Sequence, residues 1–306
     1  MIEIASLTKR YGDKTVVDDL SFVVPPGQVT GFLGPNGAGK STTMRMIVGL
    51  DAPTSGTALV NGKLYAQHRA PLRELGVLLE AKAVHPGRTA FNHLMGLAYT
   101  HGIPRKRVHE VIDIAGLESV ANKRVGAFSL GMGQRLGIAA ALLGDPAAIM
   151  LDEPVNGLDP EGVRWVRELL RGLAAEGRTV MLSSHLMSEM ALTADRLVVI
   201  GRGRLLADTT VDELVAQAEG TGVSVATSEP EQLRSLLAAP GVTVTSNGTE
   251  RLVVVGLDAR QIGQVAADHR VPLYELATES VSLEEAFMNL THDSVEYHSS
   301  EAESAA

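Results

Sequence analysis

The sequence predicts an α/β protein built on a buried, mostly parallel core sheet, followed by a smaller α+β unit of ferredoxin-like order. Three observations carry this. Runs that are apolar throughout, AAIML (147–151) and TVMLSS (179–184), alternate with amphipathic helical stretches, as in strands covered on both faces. The strand-like QVTGFL (28–33) passes through a glycine-rich loop into TTMRMIVGL (42–50), whose apolar residues fall at helical spacing. After about residue 220 the character changes. VSVATS, EQLRSLLAA, VTVTSNG, RLVVVG, ARQIGQVAADH and LYELATE give β-α-β-β-α-β, and SLEEAFMNL adds a final helix.

Taken in chain order, IEIASL, TVVDDLSFVV and TALVNG are short β-rich runs, punctuated by Pro25-Pro26-Gly27 and Asn61-Gly62. They predict an antiparallel β subdomain around the glycine loop. Residues 86–145 read as an inserted helical subdomain, from FNHLMGLAYTHG, KRVHEVIDIAGL and QRLGIAAALLG. EGVRWVRELLRGLAAEG and LMSEMALTA are helices, and RLVVIGRGRLLAD is a hairpin turning at Gly201–Gly203. The expected domains are 1–215, 221–290 and a disordered tail, 291–306, whose THDSVEYHSSEAESAA offers little to bury.

Composition narrows the function. The 306 residues are 45% hydrophobic, enough for a full core and a second small domain. A formal net charge of -9 argues against a chain that coats nucleic acid. With no cysteine, thiolate metal sites and disulfides are excluded. The first ten residues mix charges and lack the apolar centre of a secretory signal, so no export is expected. GIAAALLG is cut off from AAIML by Asp145 and Pro146, short of the roughly 20 apolar residues a membrane span needs. A membrane role would therefore come through a partner.

The chemistry begins at TGFLGPNGAGKST (30–42). Gly34 to Ser41 fits GxxxxGK[ST], between a strand and a helix as that pattern requires. The stretch Gly34, Pro35, Asn36, Gly37, Ala38, Gly39, Lys40, Ser41 and Thr42 is the expected phosphate cradle. Bare amides curl around the phosphates, Lys40 reaches the β- and γ-phosphates, and Ser41 ligates magnesium. At IMLDEP a strand end delivers Asp152 and Glu153. Side chains alternate along a strand, so the two are expected to differ in role: Asp152 orients Mg²⁺, and Glu153 polarises the attacking water. A strand-end acidic pair alone is a solvated cap; with the glycine loop it reads as catalytic. His85, His93, His101 and His109 recur every eight residues, which matches no standard ligand spacing.

Over residues 1–215 the chain resembles the ATP-binding subunits of ATP-binding cassette (ABC) transporters, in the P-loop NTPase class. The motifs come in that family's order. Tyr11 stands where the family stacks a ring on adenine, and FSLGMGQR (128–135) where it has the signature LSGGQ. NGLDP (156–160) resembles the D-loop, with Asp159, and SSH (183–185) puts His185 at the switch histidine that meets the γ-phosphate. The signature departs from the family pattern, keeping Ser129 and Gly131 with Leu130 and Met132 between and after them. A helix N-terminus and one close backbone approach still suit a phosphate. Glu80, forty positions after Lys40, replaces the Q-loop glutamine, and its carboxylate is expected to add a magnesium ligand. These departures, with the ending SLEEAF, are similar to daunorubicin- and bacitracin-resistance ATPases.

The resemblance implies ATP and Mg²⁺ as cofactors and a second copy of the cassette as partner. It also implies one or two transmembrane permease subunits and a peripheral position on the cytoplasmic face of the membrane. It implies an ATPase driving efflux of a drug, antibiotic or lipid-like compound. The rival readings are a soluble non-transport ABC ATPase, which carries paired cassettes or long coiled coils, and an ATP-dependent regulator, which would lack Glu153 or His185.

Overall fold

A computed structural model of the chain describes residues 1–80, 84–217, 222–246, 248, 251–279 and 282–292. It divides into two compact units, the first comprising Met1–Val211 with the described residues from Thr291 and the second Asp212–Leu290.

The first unit opens with β1 (Ile2–Tyr11), β2 (Lys14–Val24) and β3 (Val29–Leu33), then α1 (Lys40–Ile47) and β4 (Ser55–Val60). β2, β1 and β4 pair antiparallel in that order. Next come the one-turn α2 (Pro71–Glu74) and β5 (Leu75–Leu78), and the helical subdomain with α3 (Ala90–Thr100), α4 (Arg105–Ile114) and α5 (Leu130–Leu142). The chain returns through β6 (Ala148–Leu151), α6 (Pro160–Ala175), β7 (Thr179–Ser183), α7 (Met187–Thr193), β8 (Arg196–Gly201) and β9 (Arg204–Thr210). The six-stranded sheet runs β5-β6-β7-β3-β8-β9, parallel except for the edge hairpin β8–β9. Every residue of β3, β6 and β7 is buried, the physical reason these strands are apolar without alternation.

Met44, Met46 and Ile47 of α1 join one core with Ile2 and Leu7 of the antiparallel sheet and Phe32, Met150 and Met181 of the parallel sheet. The rings of Phe22 and Phe32 stack across the two sheets at 5.3 Å. Fully burying each such side chain contributes about 1.5–3 kcal/mol, so α1 and the loop before it are fixed by packing. α6 packs on β3 and β7, presenting Val166 and Leu170.

β5 is not anticipated from the sequence. Four residues containing a glycine carry too little pattern to read. Its glycine is explained by α5: a Cβ on Gly76 would lie 2.0 Å from the Ala141 carbonyl oxygen. This close approach sets α5 against β5.

The second unit contains most of α8 (Val211–Gln217), then β10 (Gly222–Thr227), α9 (Pro230–Leu237), β11 (Thr243–Ser246), β12 (Arg251–Val255), α10 (Ala259–Asp268) and β13 (Leu273–Glu279), followed by α11 (Leu283–Thr291). Its antiparallel sheet has the order β11-β12-β10-β13. Val223, Val225, Leu252 and Val254 form its core with Leu233 and Ile262. Thr291, the first residue of the expected tail, ends α11 and is buried. Residues 293–306 lie outside the described residues.

Candidate active site

Three loops leave the carboxyl ends of the adjacent strands β6, β7 and β3, where open α/β sheets form their clefts. After β3 the chain turns through Gly34–Gly39 into α1, which starts at Lys40, two residues earlier than the sequence suggested. Gly39 explains that start. It caps the helix at φ +101°, where a Cβ would also lie 2.8 Å from the Val16 carbonyl oxygen. The Thr43 hydroxyl donates to the Gly39 carbonyl at 2.9 Å. The loop is tied to the β8–β9 turn by Gly203 N–H donating to Ala38 O at 3.0 Å.

Lys40 Nζ donates to the carbonyls of Gly34 (2.5 Å) and Pro35 (3.2 Å), which holds the ammonium over the loop. Burial pushes this ammonium below its ordinary pKa, and the charges of Glu153 and Asp152 oppose that shift. A cavity of about 350 Å³ opens here, lined among others by Asn36, Gly37, Lys40, Ser41, Asp152 and Glu153; Ala38, Gly39 and Thr42 line it too.

The Asp152 carboxylate lies between two hydroxyls. Ser41 Oγ donates to its Oδ2 at 3.0 Å, and Ser183 Oγ donates to its Oδ1. The Glu153 amide donates to the same Ser183 Oγ at 3.0 Å. Glu153 Oε2 accepts from the His185 amide at 3.3 Å and contacts His185 Nδ1 at 2.7 Å. With Glu153 ionised, Nδ1 carries the proton of this contact.

Asp152 and Glu153 do diverge, but strand alternation is not the reason. β6 ends at Leu151, and Glu153 takes a left-handed φ of +50° that turns its side chain toward His185. That conformation is uncommon for a glutamate.

Other expected residues lie outside this cavity's lining. Glu80 is exposed, just past β5, and lines a neighbouring cavity of about 520 Å³ that also reaches Ser41, Asp152 and His93. Tyr11 ends β1 half exposed, its hydroxyl donating to Asp51 Oδ2 at 3.3 Å and its ring 4.8 Å from Lys9 Nζ. Ser129 caps α5, accepting from Met132 N–H at 3.2 Å, and Gly131 lies against Gly157, where a Cβ would be 2.9 Å from the carbonyl oxygen. Asp159 caps α6 by accepting from Gly162 N–H at 2.9 Å.

Two residues at the site were given no role by the sequence reading. Ser183 bridges the acidic pair, and Gln134, buried on α5, donates to the Glu153 carbonyl at 2.9 Å. Their only sequence signal is position, just before His185 and just after the glycines of α5.

Among the described residues no group of three or more His, Cys, Asp or Glu side chains could hold a metal ion. The donors that do converge, Ser41 and Asp152, are hard oxygens. That fits Mg²⁺, which takes few protein ligands and completes its shell from water and phosphate.

A glycine loop at a helix start, a lysine over it, and an acidic residue paired with a histidine in the same cleft define a P-loop nucleoside-triphosphate hydrolase. A family model described as "ABC transporter" matches residues 17–156, and one described as a domain of unknown function matches 221–284. The Nod factor export ATP-binding protein I of Ralstonia nicotianae is 36% identical, covering 95% of this chain and 94% of its own. The bacitracin transport ATP-binding protein BcrA of Bacillus licheniformis is 43% identical, covering 70% of this chain and 71% of its own. Among solved structures, an ATP-binding subunit of an ABC transporter superposes with a TM-score of 0.65 at 30% identity, covering 71% of this chain and 92% of its own. The ATP-binding cassette MJ0796, a dimer in a post-hydrolysis state with ADP and Pi, gives 0.63 at 25%, covering 69% and 98%. The chain belongs to the family of ABC transporter ATP-binding proteins, and its activity is the hydrolysis of ATP coupled to transport.

Proposed function

We propose that two copies of the chain close on two ATP molecules and drive the efflux of an antibiotic, drug or lipid-like compound through one or two separate permease subunits. The cargo class is supported by relatives named for bacitracin, lantibiotic and Nod factor transport. In this reading the chain sits peripherally on the cytoplasmic face; no described helix is long and apolar enough to cross a membrane.

Within each site, the amides of Gly34–Thr42 and Lys40 hold the phosphates, and Tyr11 meets adenine. Ser41, Asp152 and Glu80 would hold Mg²⁺, which when bound neutralises phosphate charge. Glu153 accepts the proton of the attacking water, and His185 orients the Glu153 carboxylate and approaches the γ-phosphate. Ser129 and Gly131 of one copy face the nucleotide of the other, with Asp159 at the same seam. Residues 221–290 act as an accessory domain, most simply a structural brace.

The observation that carries this reading is the convergence of Ser41–Asp152 and Glu153–His185 on the cleft beside Lys40. The test is to purify the full chain with the membrane protein that accompanies it and measure ATP turnover with and without Lys40→Ala. Turnover lost in the variant, with a permease in the preparation, supports the reading. Turnover without any membrane partner would favour a soluble ATPase, and no ATP binding at all would refute the site.

A further inference from the structure

We propose that Ser183 and Gln134 are positioning residues of the hydrolytic site, together holding the Glu153 peptide unit in the orientation its side chain needs. The proposal rests on the role given to Glu153 above.

Glu153 adopts φ +50°, a region L side chains seldom occupy without something to hold them there. Both backbone polar groups of this residue are taken by buried side chains. Its N–H donates to Ser183 Oγ at 3.0 Å, and its C=O accepts from Gln134 Nε2 at 2.9 Å and, at 3.2 Å, from the Asn156 N–H of the following turn. Ser183 is fully buried and Gln134 is 4% exposed, so neither bond exchanges readily for water.

Ser183 has a second task. Its own proton goes to Asp152 Oδ1, so one hydroxyl fixes the Asp152 carboxylate and the Glu153 amide together. Ser41 holds the other Asp152 oxygen. Neighbouring loops thus acquire a common reference: β7 supplies Ser183, α5 supplies Gln134, and the acidic pair hangs between them. Removing Ser183 leaves the Glu153 amide without its partner, and removing Gln134 leaves the carbonyl only the longer bond from Asn156 N–H. The left-handed turn then loses one of its side-chain restraints, and the carboxylate drifts from His185. Phosphate binding at Lys40 uses different contacts and is left intact.

The test uses the full chain with Ser183→Ala, Gln134→Leu, the hydroxyl-retaining Ser183→Thr, and Ser183→Ala/Gln134→Leu. Steady-state turnover is measured with ATP affinity by equilibrium binding in the absence of magnesium. Ser183→Ala and Gln134→Leu should each lower kcat by about tenfold or more, with KM and ATP affinity within about threefold. Ser183→Thr should stay within about threefold of the parent, and the double variant should lose less than the product of the single losses. If Ser183→Ala fails to fold, Ser183→Cys, with similar volume and a weaker donor, is measured against the same criteria. Unchanged kcat in the single variants, or ATP affinity falling as far as kcat, would overturn the positioning role. A parent that neither binds nor turns over ATP would instead overturn the reading of the site.

Discussion

The guanidinium of Arg135 lies 4.5 Å from the centroid of the Trp165 ring, and both side chains donate to the end of the same helix. Arg135 reaches Ala115 O at 3.0 Å and Trp165 Nε1 reaches Ile114 O at 3.1 Å. These carbonyls close α4, so a cation sits at the negative end of a helix dipole while an indole from α6 covers it. The contact joins the signature helix, the helical subdomain and the helix that Asp159 caps.

Arg135→Met keeps the stem of the side chain and removes the charge. It is expected to lower stability by about 1–2 kcal/mol, the sum of a cation–π contact and a charged hydrogen bond discounted for exposure. Trp165 is the only tryptophan in the sequence, so its emission reports the change directly. An unaltered spectrum with an unaltered urea midpoint would show that the contact carries no energy.

Glu153→Gln retains the shape of the side chain and its contact with His185 but cannot take a proton from water. Hydrolysis should fall by about 10²–10⁴-fold, with ATP binding preserved, leaving an ATP-bound dimer that light scattering detects. Phosphate release at the parental rate would rule out Glu153 as the base.

How much of this was legible in the chain depends on whether a feature is local. The phosphate loop was, because strand, glycines and helix are contiguous. So was the hairpin after Arg196. β5 was not, since Gly76 answers to Ala141, far along the chain. The divergence of Asp152 and Glu153 was foreseen for the wrong reason. Its cause is a left-handed residue held by Ser183 and Gln134, and that depends on how β7 and α5 lie beside β6. Tertiary register of this kind leaves no mark in periodicity.

Glu80→Gln tests the departure at the Q-loop position. Glu80 shares a cavity with Ser41 and Asp152, so its carboxylate adds negative charge on the proposed metal's side of the cleft. The variant should require several-fold more magnesium for half-maximal turnover, a loss of about 1 kcal/mol in cation attraction at a partly solvated site. A magnesium titration identical to the parent's would remove Glu80 from the metal site.

The pH dependence of stability should carry a contribution from His93. Its ring is partly buried on α3, Nδ1 has no hydrogen-bond partner among the described residues, and burial holds its pKa below the ordinary histidine value, with the Arg88 charge adding to the shift. The sign follows from proton uptake. At a pH well above about 6.5 neither the folded nor the unfolded chain protonates this ring, and it costs nothing. As the pH falls, the unfolded chain takes the proton first, so stability is lost until the folded-state pKa is passed. His93→Gln removes that uptake. Urea unfolding at pH 7.5 and 5.5 should therefore show a smaller loss of stability in the variant than in the parent. Equal losses would mean that His93 titrates alike in both states.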